Sequence, residues 1–100
     1  MQIHFQPEAE AELAEARLWY AQQQEGLDDA LMQRVEEALL QIIQTPYAYQ
    51  VVYRELRRAV LHQFPFAIFY QPIDDEIWVF AIYHSSRDPT KLRSRIFFQR

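Results

Sequence analysis

Acid–base chemistry at a phosphoryl centre needs a base, an acid and a cation for the charge that builds in the transition state. The set this chain offers is His84 or His62 as acid or base, Tyr83 or Tyr70 as helper, and Arg57, Arg58 or Arg87 for charge. Histidine suits the task because its unperturbed pKa is about 6.5. Each of these residues also has a plainer reading. His84 closes an apolar run, where a histidine is more often a structural hydrogen-bonding residue, and Arg87-Asp88-Pro89 reads first as a turn closed by an ion pair and second as a phosphate contact. Glu8, Glu12 and Glu15 share a helical face that invites a metal reading, but acidic first turns are ordinary because the helix dipole favours them, and no histidine joins the set. The chain has no cysteine, so thiolate chemistry and disulfides are excluded and a zinc site would have to use His, Asp and Glu alone. Its single glycine, Gly26, rules out a glycine-rich phosphate loop. No metal and no cofactor are expected.

The elements that must position these residues centre on one hairpin. Phe66-Ala67-Ile68-Phe69-Tyr70 returns as Ile77-Trp78-Val79-Phe80-Ala81-Ile82-Tyr83-His84, and neither run alternates apolar with polar, so both faces of the hairpin are apolar. Such strands belong inside a sheet covered on both sides. Upstream, Ala9, Leu13, Ala16 and Tyr20 recur at helical spacing behind Pro7, a residue suited to the first helical turn, and predict a helix over 7 to about 23. A second helix follows Gly26, with Asp28 as expected N-cap and Leu27 as a staple against Met32. Leu31, Val35, Ala38, Leu39, Ile42 and Ile43 carry it to Thr45, before Pro46. The short connection makes the two helices an antiparallel hairpin that packs through Leu13, Ala16, Leu31, Val35, Leu39 and Ile42.

Residues 2–5 read as a short strand, 51–53 and 56–64 as further strands, and 72–76 as the loop of the central hairpin. The fold class is therefore α+β: an N-terminal short strand and an antiparallel helical hairpin packed on a mainly antiparallel β-sheet, in a single domain over residues 1–100. One helical layer covers one sheet face. The other face, with Trp78, Phe80 and Ile82 expected on it, is left as an exposed apolar patch of the kind that marks a partner surface, unless Ile96, Phe97 and Phe98 fold back over it.

Half the residues are hydrophobic, which excludes disorder. No apolar run approaches the roughly 20 residues needed to span a bilayer, and the start lacks the basic and long apolar regions of a signal peptide, so a soluble, cytoplasmic protein is expected. Net charge is -4, unevenly spread. The first fifty residues hold nine acidic and two basic side chains, the last fifty five acidic and eight basic, seven of the eight being arginine. One end of the domain should be acidic and another basic, and arginine favours planar contacts with carboxylate or phosphate.

In order and spacing, the chain resembles the RelE/ParE superfamily of bacterial type II toxins, most closely its ParE-like branch. The resemblance is carried by Phe5, Ala9, Leu13 and Ala16, Trp19-Tyr20, Gly26-Leu27, Pro46-Tyr47-Ala48-Tyr49, Arg57-Arg58, the run from Phe64 to Tyr70, and His84-Ser85-Ser86-Arg87-Asp88-Pro89. It implies a toxin encoded beside an antitoxin whose disordered segment folds across it, as a monomer's exposed apolar face would allow. Antitoxin contacts are expected at Trp78, Phe80 and Ile82, and target contacts at Arg57, Arg58, Arg93 and Arg95. ParE-type members act on DNA gyrase through protein contacts. RelE-type members cleave mRNA on the ribosome, and here such cleavage would fall to His84, Arg87 and Tyr83. A single lysine and an acidic total depart from the nuclease type, which favours the gyrase reading. A decayed toxin that keeps only antitoxin binding is the third alternative, and a homodimer or a toxin–antitoxin hetero-oligomer is compatible with each.

Overall fold

The computed structural model describes residues 1–96. Five strands form one sheet in the order β1-β5-β4-β3-β2, from β1 (Gln2–Phe5), β2 (Gln50–Tyr53), β3 (Leu56–Val60), β4 (Phe66–Ile73) and β5 (Glu76–His84). The pairs β2/β3, β3/β4 and β4/β5 are antiparallel, and only β1 lies parallel to its neighbour β5. Helices α1 (Pro7–Gln23) and α2 (Leu27–Gln44) connect β1 to β2 and lie on one face. A 3₁₀ helix (Pro89–Arg95) lies on the other.

The helical hairpin turns at Gly26, whose φ of 89° carries the chain straight into helical geometry at Leu27. Asp28 is therefore not the N-cap; it sits inside the first turn with Asp29, where carboxylates complement the helix dipole. The staple expected between Leu27 and Met32 loses its premise for the same reason, because Leu27 is already the first helical residue. Leu31, Val35 and Ile42 are fully buried against Ile68, Tyr70, Ile77, Val79 and Ile82, whereas Leu13 and Leu39 are half-buried at the margin.

Strand β3 stops at Val60, short of the expected 64, because the chain turns over residues 61–65 with Gln63 at φ 77°, and the Leu61 N–H reaches the Phe66 carbonyl at 2.8 Å. The central hairpin is tighter than expected. Strands run to Ile73 and from Glu76, leaving Asp74-Asp75 as the turn with Asp74 at φ 55°, a left-handed conformation that aspartate tolerates.

Two findings revise the far sheet face. First, Tyr70 pairs with Val79 while Phe69 pairs with Ala81, so Phe80 is an extra residue that bulges β5. The bulge reverses the alternation: Ile77, Val79 and Ile82 face the helices, while Trp78, Phe80, Ala81 and Tyr83 face away. Trp78, Phe80 and Ile82 thus do not share a face. Second, the face away from the helices is covered. Pro89 opens the 3₁₀ helix, the Asp88 carboxylate accepts from the Thr90 N–H at 3.0 Å, and Leu92 and Ile96 are buried over Leu56, Phe69, Phe80 and Tyr83. Phe97 and Phe98 lie outside the described residues. Among the described residues, no helix is long and apolar enough to cross a membrane.

Candidate functional site

A groove of about 500 Å³ lies between α1 and the outer end of the central hairpin. Its apolar floor and walls come from Ala16, Trp19 and Tyr20 on α1, from Pro65 and Phe66, and from Ile82 on β5. Tyr20 stands edge-on to Trp19 and Phe64 at 5.0 Å between ring centroids, which fixes the aromatic end of the groove. Burial raises the pKa of the Tyr20 hydroxyl. Trp19 remains 55% exposed at the rim, a large apolar surface left open among the described residues. Glu12 and Glu15 line the α1 side, and Tyr83, His84 and Arg87 the opposite side.

His84, Tyr83 and Arg87 do come together here, but each is engaged. The His84 Nδ1 lies 2.8 Å from the Ser86 hydroxyl and accepts from the Ser86 N–H at 3.2 Å. The Arg87 guanidinium lies 3.9 Å from the centre of the Tyr83 ring, a cation–π contact, and not in an ion pair with Asp88 as expected. Asp88 serves as cap, and the Thr90 N–H followed by the Thr90 hydroxyl hold its carboxyl below the usual range. Tyr83 itself is buried beneath the two arginines Arg87 and Arg95.

The four arginines expected at a target surface divide. Arg57 donates to the carbonyls of Tyr47 at 2.9 Å and Tyr49 at 2.6 Å, tying the 46–49 segment to the sheet. Arg58 donates to the Ser85 carbonyl at 3.3 Å. Arg95 pairs with Glu12 at 2.8 Å and donates to the Phe80 carbonyl at 3.2 Å, so it clamps the 3₁₀ helix to α1 and to the bulge. Glu12 holds the Arg95 pKa above its ordinary value, so the clamp stays charged. Arg93 is exposed and, with Arg54, Lys91 and Ser94, lines a shallow basic cleft. Sequence reasoning missed that cleft because Arg54 and Lys91 lie thirty-seven positions apart. The groove's own signal in the sequence is Trp19, an aromatic on the exposed side of α1.

His62 lies in the turn between β3 and β4, on the exposed surface, and Tyr70 is fully buried among the helices with its hydroxyl donating to the Pro46 carbonyl at 2.7 Å. Neither lines the groove. A family model described as the ParE toxin of the type II toxin-antitoxin system, parDE, matches residues 3–89. The chain belongs to that family. Its ParE-like fold is seen again in the solved structure titled "Chromosomal ParDE TA system from P. aeruginosa", with a TM-score of 0.68 and 20% identity over 84% of this chain and 95% of that one. No curated protein matches in sequence. The match spans β1, both helices and the whole sheet, and stops where the 3₁₀ helix of this ParE-family toxin begins. The chain is thus a ParE-like toxin of a type II toxin-antitoxin system.

Proposed function

We propose that this toxin acts by protein contact on DNA gyrase and is neutralised in the cytoplasm by a cognate antitoxin. The observation that carries this reading is that the cations nearest His84 are already committed. Arg58 is on a backbone carbonyl, Arg87 on the Tyr83 ring, and Arg95 on Glu12. A nuclease needs a cation free to meet the developing charge on phosphorus. A protein-binding toxin does not, and the exposed cations of the Arg54–Lys91–Arg93 cleft suit contact with an acidic surface of the target. Arg93 is the expected target contact that best keeps its availability, whereas Arg57, Arg58 and Arg95 contribute through the shape they hold.

One observation favours a second reading, ribosome-dependent mRNA cleavage: His84, Tyr83 and Arg87 meet at one end of one groove. The two are separated by testing the purified toxin in gyrase supercoiling with cleavage-complex formation and in mRNA cleavage on translating ribosomes. Gyrase inhibition that persists in His84→Ala is expected. A positioned acid or base contributes about 10²–10⁴ in rate, so ribosome-dependent cuts that disappear in His84→Ala, with supercoiling untouched, would overturn the gyrase reading.

A further inference from the structure

The shallow cleft on the far side of the sheet is lined by Arg54, Lys91, Arg93 and Ser94, three cations and a hydroxyl brought together from two distant elements. Leu92 is buried on the sheet and leaves its neighbours Lys91 and Arg93 exposed on either side of it. In a 3₁₀ helix residues three apart stand one above the other, which puts Ser94 on the same side as Lys91. The turn between β2 and β3 supplies the remaining group. Val52 and Tyr53 pack on the same apolar cluster as Leu92, and this carries Arg54 to the 3₁₀ helix.

Arg54 stands there against its own backbone preference. Its φ is 54°, a left-handed conformation that suits glycine or asparagine in a turn, and its guanidinium lies 5.2 Å from the centre of the Tyr53 ring. An exposed cation, in a turn that a neutral residue would fit with less strain, points to a use for the charge. The carboxylates nearest in sequence are turned to other partners. Glu55 accepts from the Gln71 side-chain amide at 3.4 Å and Asp88 caps the Thr90 N–H, and neither lines the cleft. Most of the acidic groups lie on the two helices, across the sheet from it.

The composition of the cleft selects among anions. A protein partner is held by an apolar and aromatic centre inside a polar rim, and among the described residues no apolar side chain lines this cleft. A single nucleic-acid strand is held by bases stacked on aromatic rings, and none lines it either. Cations and a hydroxyl, with nothing to read or stack a base, are the groups that contact a phosphodiester backbone. With a net charge of -4 the chain as a whole repels nucleic acid, so the contact is local to this cleft. We infer that the Arg54–Lys91–Arg93 cleft binds the backbone of duplex DNA, one phosphate to each cation and without regard to sequence. The inference deepens the gyrase reading and rests on it for the source of the backbone: the acidic surface this cleft meets is the DNA that gyrase holds. The chemistry of the contact rests on the cleft alone.

The probe is a fluorescent duplex of mixed sequence, about 20 base pairs long, titrated with the full-length toxin and followed by anisotropy from about 50 to about 200 mM salt. Three phosphate contacts give a slope of log affinity against log salt of about -2.7, a loss of about fortyfold over that range. Lys91→Gln, Arg93→Gln and Arg54→Asn, the last chosen because asparagine keeps the left-handed turn, should each bring the slope to about -1.8 with the fold intact by circular dichroism. Arg34→Gln removes a cation on α2, away from the cleft, and should leave the slope at the parent value. A slope that none of the three cleft variants changes, or that Arg34→Gln changes as much, overturns the inference. So does the absence of duplex binding. Tighter binding of a single-stranded RNA of the same length, or displacement of the duplex by a glutamate polymer more readily than by unlabelled duplex of equal charge, also overturns it and makes the cleft a site for RNA or for an acidic protein surface. Supercoiling serves as the separate readout for the gyrase reading. A toxin that inhibits supercoiling but binds no duplex removes the DNA site and leaves gyrase, whereas one that binds duplex as expected and leaves supercoiling untouched removes gyrase and leaves the DNA site.

Discussion

Tyr70 illustrates how one residue carries both packing and a pH signature. Its ring is fully buried, meets Tyr49 edge-on at 6.1 Å, and its hydroxyl donates to the Pro46 carbonyl. Burial pushes its pKa up to about 12, the charge of Arg57 pulling only partly the other way. In the unfolded chain a tyrosine ionises near 10, so above that pH the unfolded state releases a proton the folded state keeps. The stability associated with neutral Tyr70 is therefore complete below about pH 10 and is lost progressively as pH rises to 12, an order of about 2–3 kcal/mol in all. Denaturant unfolding between pH 9 and 12 should show this decline, and Tyr70→Phe should flatten it at a cost near neutral pH of about 1 kcal/mol for the lost hydrogen bond. A decline as steep in Tyr70→Phe as in the parent would assign it to other groups. The residues expected to do chemistry were legible as types, but the sequence carried no sign that Arg57, Arg58 and Arg95 are consumed by carbonyls and a carboxylate. Those partners lie eight to eighty-three positions away and are fixed only by the fold.

At the scale of elements, the helices and the central hairpin could be read because their apolar residues are dense: period 3.6 across Leu31, Val35 and Ile42, and two strands apolar on both faces. The bulge at Phe80 could not, since no glycine or proline marks it and a single extra residue leaves the composition of the strand unchanged. The 3₁₀ helix was hidden for the opposite reason. It has one inward residue, Leu92, in a stretch of charged and polar ones, too sparse for a period, although Asp88 as cap followed by Pro89 as first residue is a helix-start signal. Gly26 was legible as a break and its conformation tests the turn. An added Cβ there would meet nothing within 4 Å, so a substitution is penalised only through φ of 89°, which non-glycine residues rarely adopt. Gly26→Ala should cost about 1–2 kcal/mol and Gly26→Asn less, because asparagine tolerates left-handed conformations. Equal costs, measured by thermal or denaturant unfolding, would mean the loop relaxes out of that conformation.

At the scale of the whole molecule, the described residues form two apolar clusters back to back on one sheet. The helices bury Leu31, Val35 and Ile42 on one face, and the 3₁₀ helix buries Leu92, with Ile96 just after it, on the other, while β4 and β5 supply residues to both. The division has a chemical counterpart, because the helices hold most of the acidic groups and the 3₁₀ side holds Arg54, Lys91 and Arg93. Each cluster alone is small, and neither face of β4 or β5 can be left wet without exposing large side chains such as Tyr70 or Phe69. The two clusters should therefore unfold as one unit. Leu31→Ala and Leu92→Ala each remove a fully buried side chain and should each cost about 2–5 kcal/mol. Because the two sites share no partners and lie on opposite faces of the sheet, their costs in the double variant should add to within about 0.5 kcal/mol, with one transition by both near- and far-ultraviolet dichroism. If Leu92→Ala instead split the unfolding into two steps, with the near-ultraviolet signal lost first, the 3₁₀ helix would be a separately opening cover. The Glu12–Arg95 pair, the salt bridge joining that helix to α1, would then be too weak to couple the two faces.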